Sequence, residues 1–88
     1  MSYVQHIDQN LATPYTFGKD ALAAGTKTVD NIPGHTAAAA VVFSRTVHGG
    51  GIGTIAGVVS AGTVSGAKVV FTSTDNTETS QIFWHLKG

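Results

Sequence analysis

The centre of the chain carries a glycine-rich run of a type that binds phosphates or stabilises an oxyanion. Gly51, Gly53 and Ala56 fit the G-x-G-x-x-G/A pattern, in which a helix N-terminus receives a pyrophosphate. Residues 57–62 favour a strand over a helix, so the dinucleotide interpretation lacks the element that it requires. His48 and the three glycines after it match the oxyanion-hole run of some esterases. No G-x-S-x-G nucleophile motif accompanies this run, and we interpret it as a glycine hairpin.

Metal binding would require histidines or carboxylates that the fold brings together. The spacing of the four histidines predicts no shared site, and we expect each to be singly exposed: His6, His35, His48 and His85. His6 and Asp8 alternate along a predicted strand, which leaves open a contribution to a metal shared between subunits. Asp75, Asn76 and Glu78 lie close together but lack the spaced carboxylates of a calcium loop. We therefore expect no metal, no other cofactor and no catalytic residue.

Carbohydrate binding would need an exposed aromatic platform with amides or carboxylates beside it. Trp84, Tyr3 and Tyr15 are the large aromatic residues that also carry a polar group. Trp84 is better explained as part of the core. Glycan binding is therefore kept as an alternative function.

The composition favours a protein that assembles with other proteins. With 88 residues the chain forms one domain, which buries roughly 60–65% of the surface of its unfolded form. No cysteine is available for a disulfide, so oligomerisation is the remaining way to bury more area. Five basic residues balance five acidic ones, and the basic residues are scattered singly. This pattern permits association of copies and argues against nucleic-acid binding.

Two segments of the chain bear on targeting and on membrane insertion. Residues 1–8 have neither a basic nor an apolar region, so we expect no secretory signal and a protein made in the cytoplasm. Residues 46–67 contain no Asp, Glu, Lys or Arg and are long enough to cross a bilayer. Because this segment is rich in Gly, Ser and Thr, we predict that it does not enter a membrane.

The pattern of β-branched residues and turns predicts an all-β fold. Valine, isoleucine and threonine are frequent, and glycine separates the segments that they form. We expect a small antiparallel β-sandwich or barrel of about six or seven short strands, with an extended N-terminal arm. Residues 1–13 would be that arm or an edge strand, and residues 14–88 the sandwich, with 19–24 as a turn. The predicted strands are 4–7, 14–17, 26–32, 38–48, 53–60, 67–74 and 81–87.

The last two strands are predicted to form a hairpin around the loop 75–80. In that hairpin Val69 and Phe71 would lie opposite Leu86 and Trp84, and these four side chains would belong to the core. Val70 and Phe83 would lie together on the opposite face as an apolar patch. This patch would be either a subunit contact or a second buried face.

Subunit contacts are predicted at this patch and in the N-terminal part of the chain. Extended termini commonly reach a neighbouring subunit, although an edge strand of the same sheet is equally compatible with residues 1–13. The predicted interface residues are Tyr3, Val4, His6, Tyr15, Phe17, Val70 and Phe83.

Several turn and strand segments follow one another in a characteristic order. They are Leu22-Ala-Ala-Gly25-Thr26, Val29, Ile32-Pro33-Gly34, Ala40-Val-Val-Phe-Ser44, Ala61-Gly-Thr-Val64 and Val69-Val-Phe71. With this order the chain resembles, from about Phe17 to Leu86, small β-sandwich domains of tailed-bacteriophage structural proteins. His35 and Thr36 depart from that pattern, in which an acidic or glycine-rich continuation follows the Pro-Gly turn.

The resemblance implies a non-enzymatic component of a virion. Such domains occur in head decoration or cement proteins and in tail fibres or spikes, commonly as homotrimers. The expected partners are copies of the chain and the major capsid protein or another virion protein, with no nucleic acid and no membrane. A decoration protein would stabilise the capsid by binding across neighbouring subunits. The alternative is a fibre or spike domain that binds a receptor or glycan.

Overall fold

A computed structural model describes residues 15–88 of the chain, which form an all-β domain. No helix occurs in this part of the chain, and hence none that could cross a membrane. All strand pairings are antiparallel. The six strands are β1 (Tyr15–Ala21), β2 (Thr26–Ile32), β3 (Ala40–Val47), β4 (Ile55–Ala61), β5 (Ala67–Ser73) and β6 (Gln81–Lys87).

The strands form two three-stranded sheets, which pack face to face as a β-sandwich. The first sheet has the order β1-β6-β3, and the second has the order β2-β5-β4. Only the β4–β5 connection joins two neighbouring strands of one sheet, whereas the other four connections cross between the sheets. As a result β6 and β5 are the central strands, and the other four are edges.

Alternation along each strand decides which side chains enter the core. In β5, Val69 and Phe71 are fully buried, while Val70 between them faces outward and is half-buried. The same alternation buries Ile82, Trp84 and Leu86 of β6. Burying a side chain of this size stabilises the folded state by about 1.5–3 kcal/mol, so the two central strands supply most of the core.

Aromatic rings fill the space between the sheets, and two glycines make room for them. The Phe71 ring lies 5.2 Å from that of Phe43, edge to face, and 6.3 Å from that of Trp84. A Cβ atom at Gly18 would collide with the Trp84 indole, and one at Gly57 would lie 2.8 Å from Phe43 Cε1. Glycine in β1 and β4 therefore lets the large rings approach the backbone of the edge strands.

The predicted fold class is confirmed, and most predicted strands are found close to their observed bounds. Residues 26–32 and 81–87 match β2 and β6. The predicted turn at 19–24 is wrong in part, because β1 continues to Ala21. Asp20 accepts a hydrogen bond from Trp84 Nε1 at 2.8 Å and lies 3.8 Å from Lys27 Nζ, and these contacts hold the end of β1 in place. The predicted arm 1–13 and the predicted strand 4–7 lie outside the described residues.

The predicted C-terminal hairpin is wrong, although its core residues are buried as expected. β5 and β6 belong to different sheets, so Phe71 and Trp84 face each other across the sandwich instead of along one sheet. Val70 and Phe83 consequently point away from each other on opposite outer surfaces, and they cannot form one patch. The residues that connect the two sheets here also carry Glu78 into the interior.

Candidate interaction surface

The outer surface of the first sheet carries a cluster of aromatic side chains. Tyr15, Phe17, Val42, Phe83 and His85 form this surface, which we call the aromatic face. Each is at an outward position of its strand because its neighbours in sequence turn toward the core. The register places Phe17, His85 and Val42 in one row across β1, β6 and β3.

The rings on the aromatic face contact one another. Tyr15 stacks on His85 with ring centroids 5.2 Å apart and an interplanar angle of 14°. The Phe17 ring lies 4.8 Å from that of Tyr15 and 6.2 Å from that of Phe83. Phe17 nevertheless remains 62% exposed and Phe83 48% exposed. The cluster is therefore ordered by ring contacts while it offers much of its apolar area to solvent.

A shallow pocket of about 140 Å³ opens on this face. Phe17, Val42, Ser44, Phe83 and His85 contribute to its lining. Pockets for drug-sized ligands usually measure about 300–1,000 Å³, so this one suits a single protruding side chain.

The outer surface of the second sheet is different in character. Thr28, Val70 and Val58 form a row across β2, β5 and β4, and Thr72 and Ala56 lie in a neighbouring row. No aromatic side chain faces outward there among the described strands. Aromatic residues are enriched at protein interfaces and threonine is not, which singles out the first sheet as the candidate site.

The predicted interface residues divide between several places. Tyr15, Phe17 and Phe83 come together on the aromatic face, whereas Val70 lies on the outer surface of the other sheet. Tyr3, Val4 and His6 lie outside the described residues. Sequence reasoning missed Val42 and His85 as members of the site, because only the register of β6 against β1 and β3 brings them beside Phe17.

The glycine-rich run is occupied by contacts within the chain. Gly49 N donates to Ser80 Oγ at 3.0 Å, and Gly53 N donates to Glu78 Oε1 at 3.0 Å. The run connects β3 of the first sheet to β4 of the second, so its interpretation as a hairpin is wrong. Strand β4 follows Gly53 where a nucleotide site would need a helix. The backbone N–H groups of Gly49 and Gly53 are thus used in contacts that position the loop.

Glu78 is fully buried at the centre of this loop contact. Arg45 Nε donates to its Oε2 at 2.7 Å, and the Ser73 hydroxyl and Gly53 N donate to Oε1. The Arg45 guanidinium first, and then the hydroxyls of Ser73 and Ser80, lower the pKa of Glu78 from 4.5 to about 2. This carboxylate is committed to a structural ion pair, which removes it from the calcium hypothesis.

His35 is buried, contrary to the expectation of singly exposed histidines. Its Nε2 lies 2.7 Å from Thr16 Oγ1, and its Nδ1 lies 3.0 Å from the carbonyl oxygen of Gly88. The ring thus links β1 to the residue after β6. Within residues 15–88, no three His, Asp or Glu side chains gather as a metal site would require.

Trp84 does not contribute to the outer surface. It is 4% exposed, packs beside Phe71 and donates its indole N–H to Asp20. Trp84 is therefore part of the core, as predicted, and its ring is not accessible for stacking on a glycan.

Compared with protein-family models, with curated proteins and with solved structures, the chain matches none of them.

Proposed function

We propose that this chain is a non-enzymatic virion structural protein, an oligomeric head decoration or cement protein that stabilises a phage capsid. The aromatic face would dock it on the major capsid protein or another virion protein. The observation that carries the proposal is the exposed cluster of Phe17, Phe83, Tyr15 and His85 on one sheet surface. The resemblance of the sequence to phage structural domains is the reason for proposing a virion as the assembly.

The chemistry of the aromatic face fits a protein partner. Its centre is apolar and its pocket accepts one side chain, as at the buried centres of protein interfaces. Lys19 pairs with Phe83 in register and Lys87 with Tyr15, so two lysines stand at its margin. No Asp or Glu occupies an outward position on β1, β3 or β6 around this surface. A complementary partner would present an apolar protrusion with acidic residues around it.

Stabilisation by such a protein would follow from mass action. A chain that binds the assembled shell across neighbouring subunits, and binds separated subunits less well, lowers the free energy of the shell. Each contact can be weak, because many copies act on one particle.

The alternative function is a receptor- or glycan-binding fibre or spike domain. The stacked Tyr15 and His85 rings and the exposed Phe17 ring offer surfaces on which a sugar could stack. Sugar hydroxyls also need amides or carboxylates, and on the outward strand positions of this face only Gln81 supplies one. The geometry therefore favours the protein contact over the glycan contact.

The proposal is tested on phage particles that have been stripped of this chain. Re-addition of the wild-type chain should restore binding and raise the temperature at which the shell releases its DNA. Phe17→Ser and Phe83→Ser should each weaken binding at least about tenfold, since they remove aromatic anchors. Val64→Ser is the matched control, because Val64 is 84% exposed and lies in the β4–β5 loop. Particles that contain no copy of the chain and never bind it would overturn the proposal, and saturable glycan binding lost in Phe17→Ser would establish the alternative.

A further inference from the structure

The four edge strands of the sandwich differ in how they are protected against pairing with another chain. β1 carries Lys19 and Asp20, β2 carries Lys27 and Asp30, and β3 carries Arg45. β2 and β3 each contain a register shift as well. Charges and bulges of this kind block edge-to-edge association. β4 has seven residues without a charge, a proline or a register shift, so it is the one unprotected edge among the described strands.

The outer edge of β4 presents regularly spaced backbone groups. Thr74 N donates to Thr54 O at 3.0 Å, and the pairing alternates from there along the strand. Thr54, Ala56, Val58 and Ser60 therefore bond toward β5. The backbone groups of residues 55, 57, 59 and 61 point the other way, where no strand of residues 15–88 pairs with them. The backbone groups of these four alternate residues can thus bond to a further antiparallel strand.

The core is also incompletely covered on this side of the sandwich. Val41 and Phe43 of β3 and Ile55 and Val59 of β4 pack against the core but remain only half-buried. An open groove of about 310 Å³ runs between the two strands beside Phe43 and Ile55. A chain placed along β4 would cover these side chains.

The opposite side of the sandwich is closed by the chain itself. Leu22 and His35 are buried there, and the Asp20–Lys27 ion pair bridges β1 and β2. The two sides thus differ in coverage, because four half-buried residues that pack against the core lie on the β3–β4 side and only Val29 of β2 lies on the other.

We propose that β4 pairs antiparallel with β4 of a second copy, about a two-fold axis at Val58. Gly57 would then pair with Val59 of the second copy, and Ile55 with Ala61, so that all four outward residues are bonded. The two second sheets would become one six-stranded sheet. Because β4 is uncharged, this arrangement opposes no like charges, whereas two aromatic faces would bring lysines together. The inference is independent of the virion proposal and uses a different surface.

Charge substitutions at Val58 test the register directly. Val58 is 61% exposed on the outer surface, so a charged residue there leaves the core intact. At the two-fold axis the two Val58 residues form a pair without backbone hydrogen bonds, with Cα atoms about 4.5 Å apart. Val58→Lys alone and Val58→Glu alone would each oppose like charges and should weaken dimerisation at least about tenfold. An equimolar mixture of the two variants should restore it as a heterodimer.

The measurement is the mass by light scattering over a concentration series, with native mass spectrometry of the mixture. The wild-type chain should rise from 9.0 kDa toward twice that mass. Thr28→Lys and Thr28→Glu are matched controls, because Thr28 lies in the same row of the sheet but on the far strand β2. They should dimerise like the wild type, whether alone or mixed.

Several results would overturn the inference. One is a wild-type chain that stays at 9.0 kDa up to about millimolar concentration, and another is a threefold mass that neither Val58 variant changes. A dimer that is lost when residues 1–13 are removed, yet survives both Val58 substitutions, would show that the dimer contact depends on that segment and not on β4 pairing. Loss of the dimer in Phe17→Ser but not in Val58→Lys would place the contact on the aromatic face. Failure of shell binding with intact β4 pairing would contradict the proposed function alone.

Discussion

Arg45 Nε donates to Glu78 Oε2 at 2.7 Å, although the two residues are 33 positions apart in sequence. Arg45 lies on β3, and its Nη2 also bonds the carbonyl oxygen of Gly53. Glu78 lies in the connection between the central strands and accepts bonds from Ser73 and Gly53. The ion pair between the exposed Arg45 and the buried Glu78 therefore ties the glycine-rich loop, β3 and the β5–β6 connection together at one end of the sandwich.

Replacing Arg45 by methionine should strongly destabilise the fold. The substitution keeps an apolar side chain of similar length but leaves the Glu78 carboxylate buried without its cation. A buried carboxylate without its cation is destabilising, and because Arg45 itself is partly exposed we expect Tm to fall by about 5–10 °C for a domain of this size. Lys19→Met, at an exposed position, is the control and should leave Tm nearly unchanged. Equal effects of the two substitutions in calorimetry would contradict the structural role of the pair.

The stability of the domain should decline in acid because of the same carboxylate. The pKa of Glu78 is about 2 in the folded chain and 4.5 ordinarily, so its contribution is complete above about pH 4.5 and is lost as the pH falls toward 2. The Thr63 hydroxyl lowers the pKa of Asp30, and the Thr77 hydroxyl that of Asp75, which adds to the same trend. Urea unfolding at a series of pH values from 2 to 6 measures this decline. Glu78→Gln should reduce the proton uptake on unfolding near pH 3.5 by about one proton, and an unchanged slope would refute the assignment.

The strands could be predicted from the sequence because their signals are local. Alternation of apolar residues and glycine-rich turns identified β2 and β6 at their observed bounds. The assignment of strands to sheets could not be predicted in the same way. β5 and β6 both alternate as half-buried strands, and a hairpin or a crossing between sheets produces the same pattern in each. The observed crossing is accompanied by the burial of Glu78 against Arg45, a contact between distant residues that nothing local in a polar loop predicts.

Part of the candidate site could be predicted from the sequence, because alternation along a strand indicates which side chains point outward. Phe17 and Phe83 alternate with residues that suit the core, and they were predicted at an interface. His85 and Val42 join them only through the register of three strands that are distant in sequence. Val70 was misplaced for the same reason, since its neighbours depend on which sheet β5 enters. Pairing between distant strands is a property of the whole fold, which local patterns do not contain.

Gly18→Ala should disturb the packing of the single tryptophan. An added Cβ at Gly18 would collide with the Trp84 indole, which is held between Phe71 and the Asp20 carboxylate. Overpacking of this kind costs typically 1–3 kcal/mol, so the midpoint of urea unfolding should fall. Trp84 fluorescence should shift to longer wavelength as the ring becomes more exposed. Lys19→Ala changes the neighbouring residue without touching the indole, and an identical spectrum in Gly18→Ala and this control would argue against the predicted collision.

Asn31 combines two properties that paired substitutions can separate. Its φ is 54°, and its Oδ1 accepts bonds from Val64 N at 2.9 Å and Ser65 N at 3.3 Å. Asn31→Gly loses the two bonds but tolerates the left-handed backbone, and we expect a loss of roughly 1–2 kcal/mol. Asn31→Ala loses the bonds and strains the backbone, adding about 1 kcal/mol more.

The glycine variant at position 31 should therefore be more stable than the alanine variant, which reverses the order usual inside a strand. Guanidinium unfolding of both variants measures the difference. At Thr28, an extended position of the same strand, glycine should be less stable than alanine, which provides the internal control. The register shift in β2 lies between Val29 and Ile32, next to this residue. If the stability order of the glycine and alanine variants is reversed at position 31 and not at position 28, the left-handed Asn31 holds the end of β2 against the 62–66 loop.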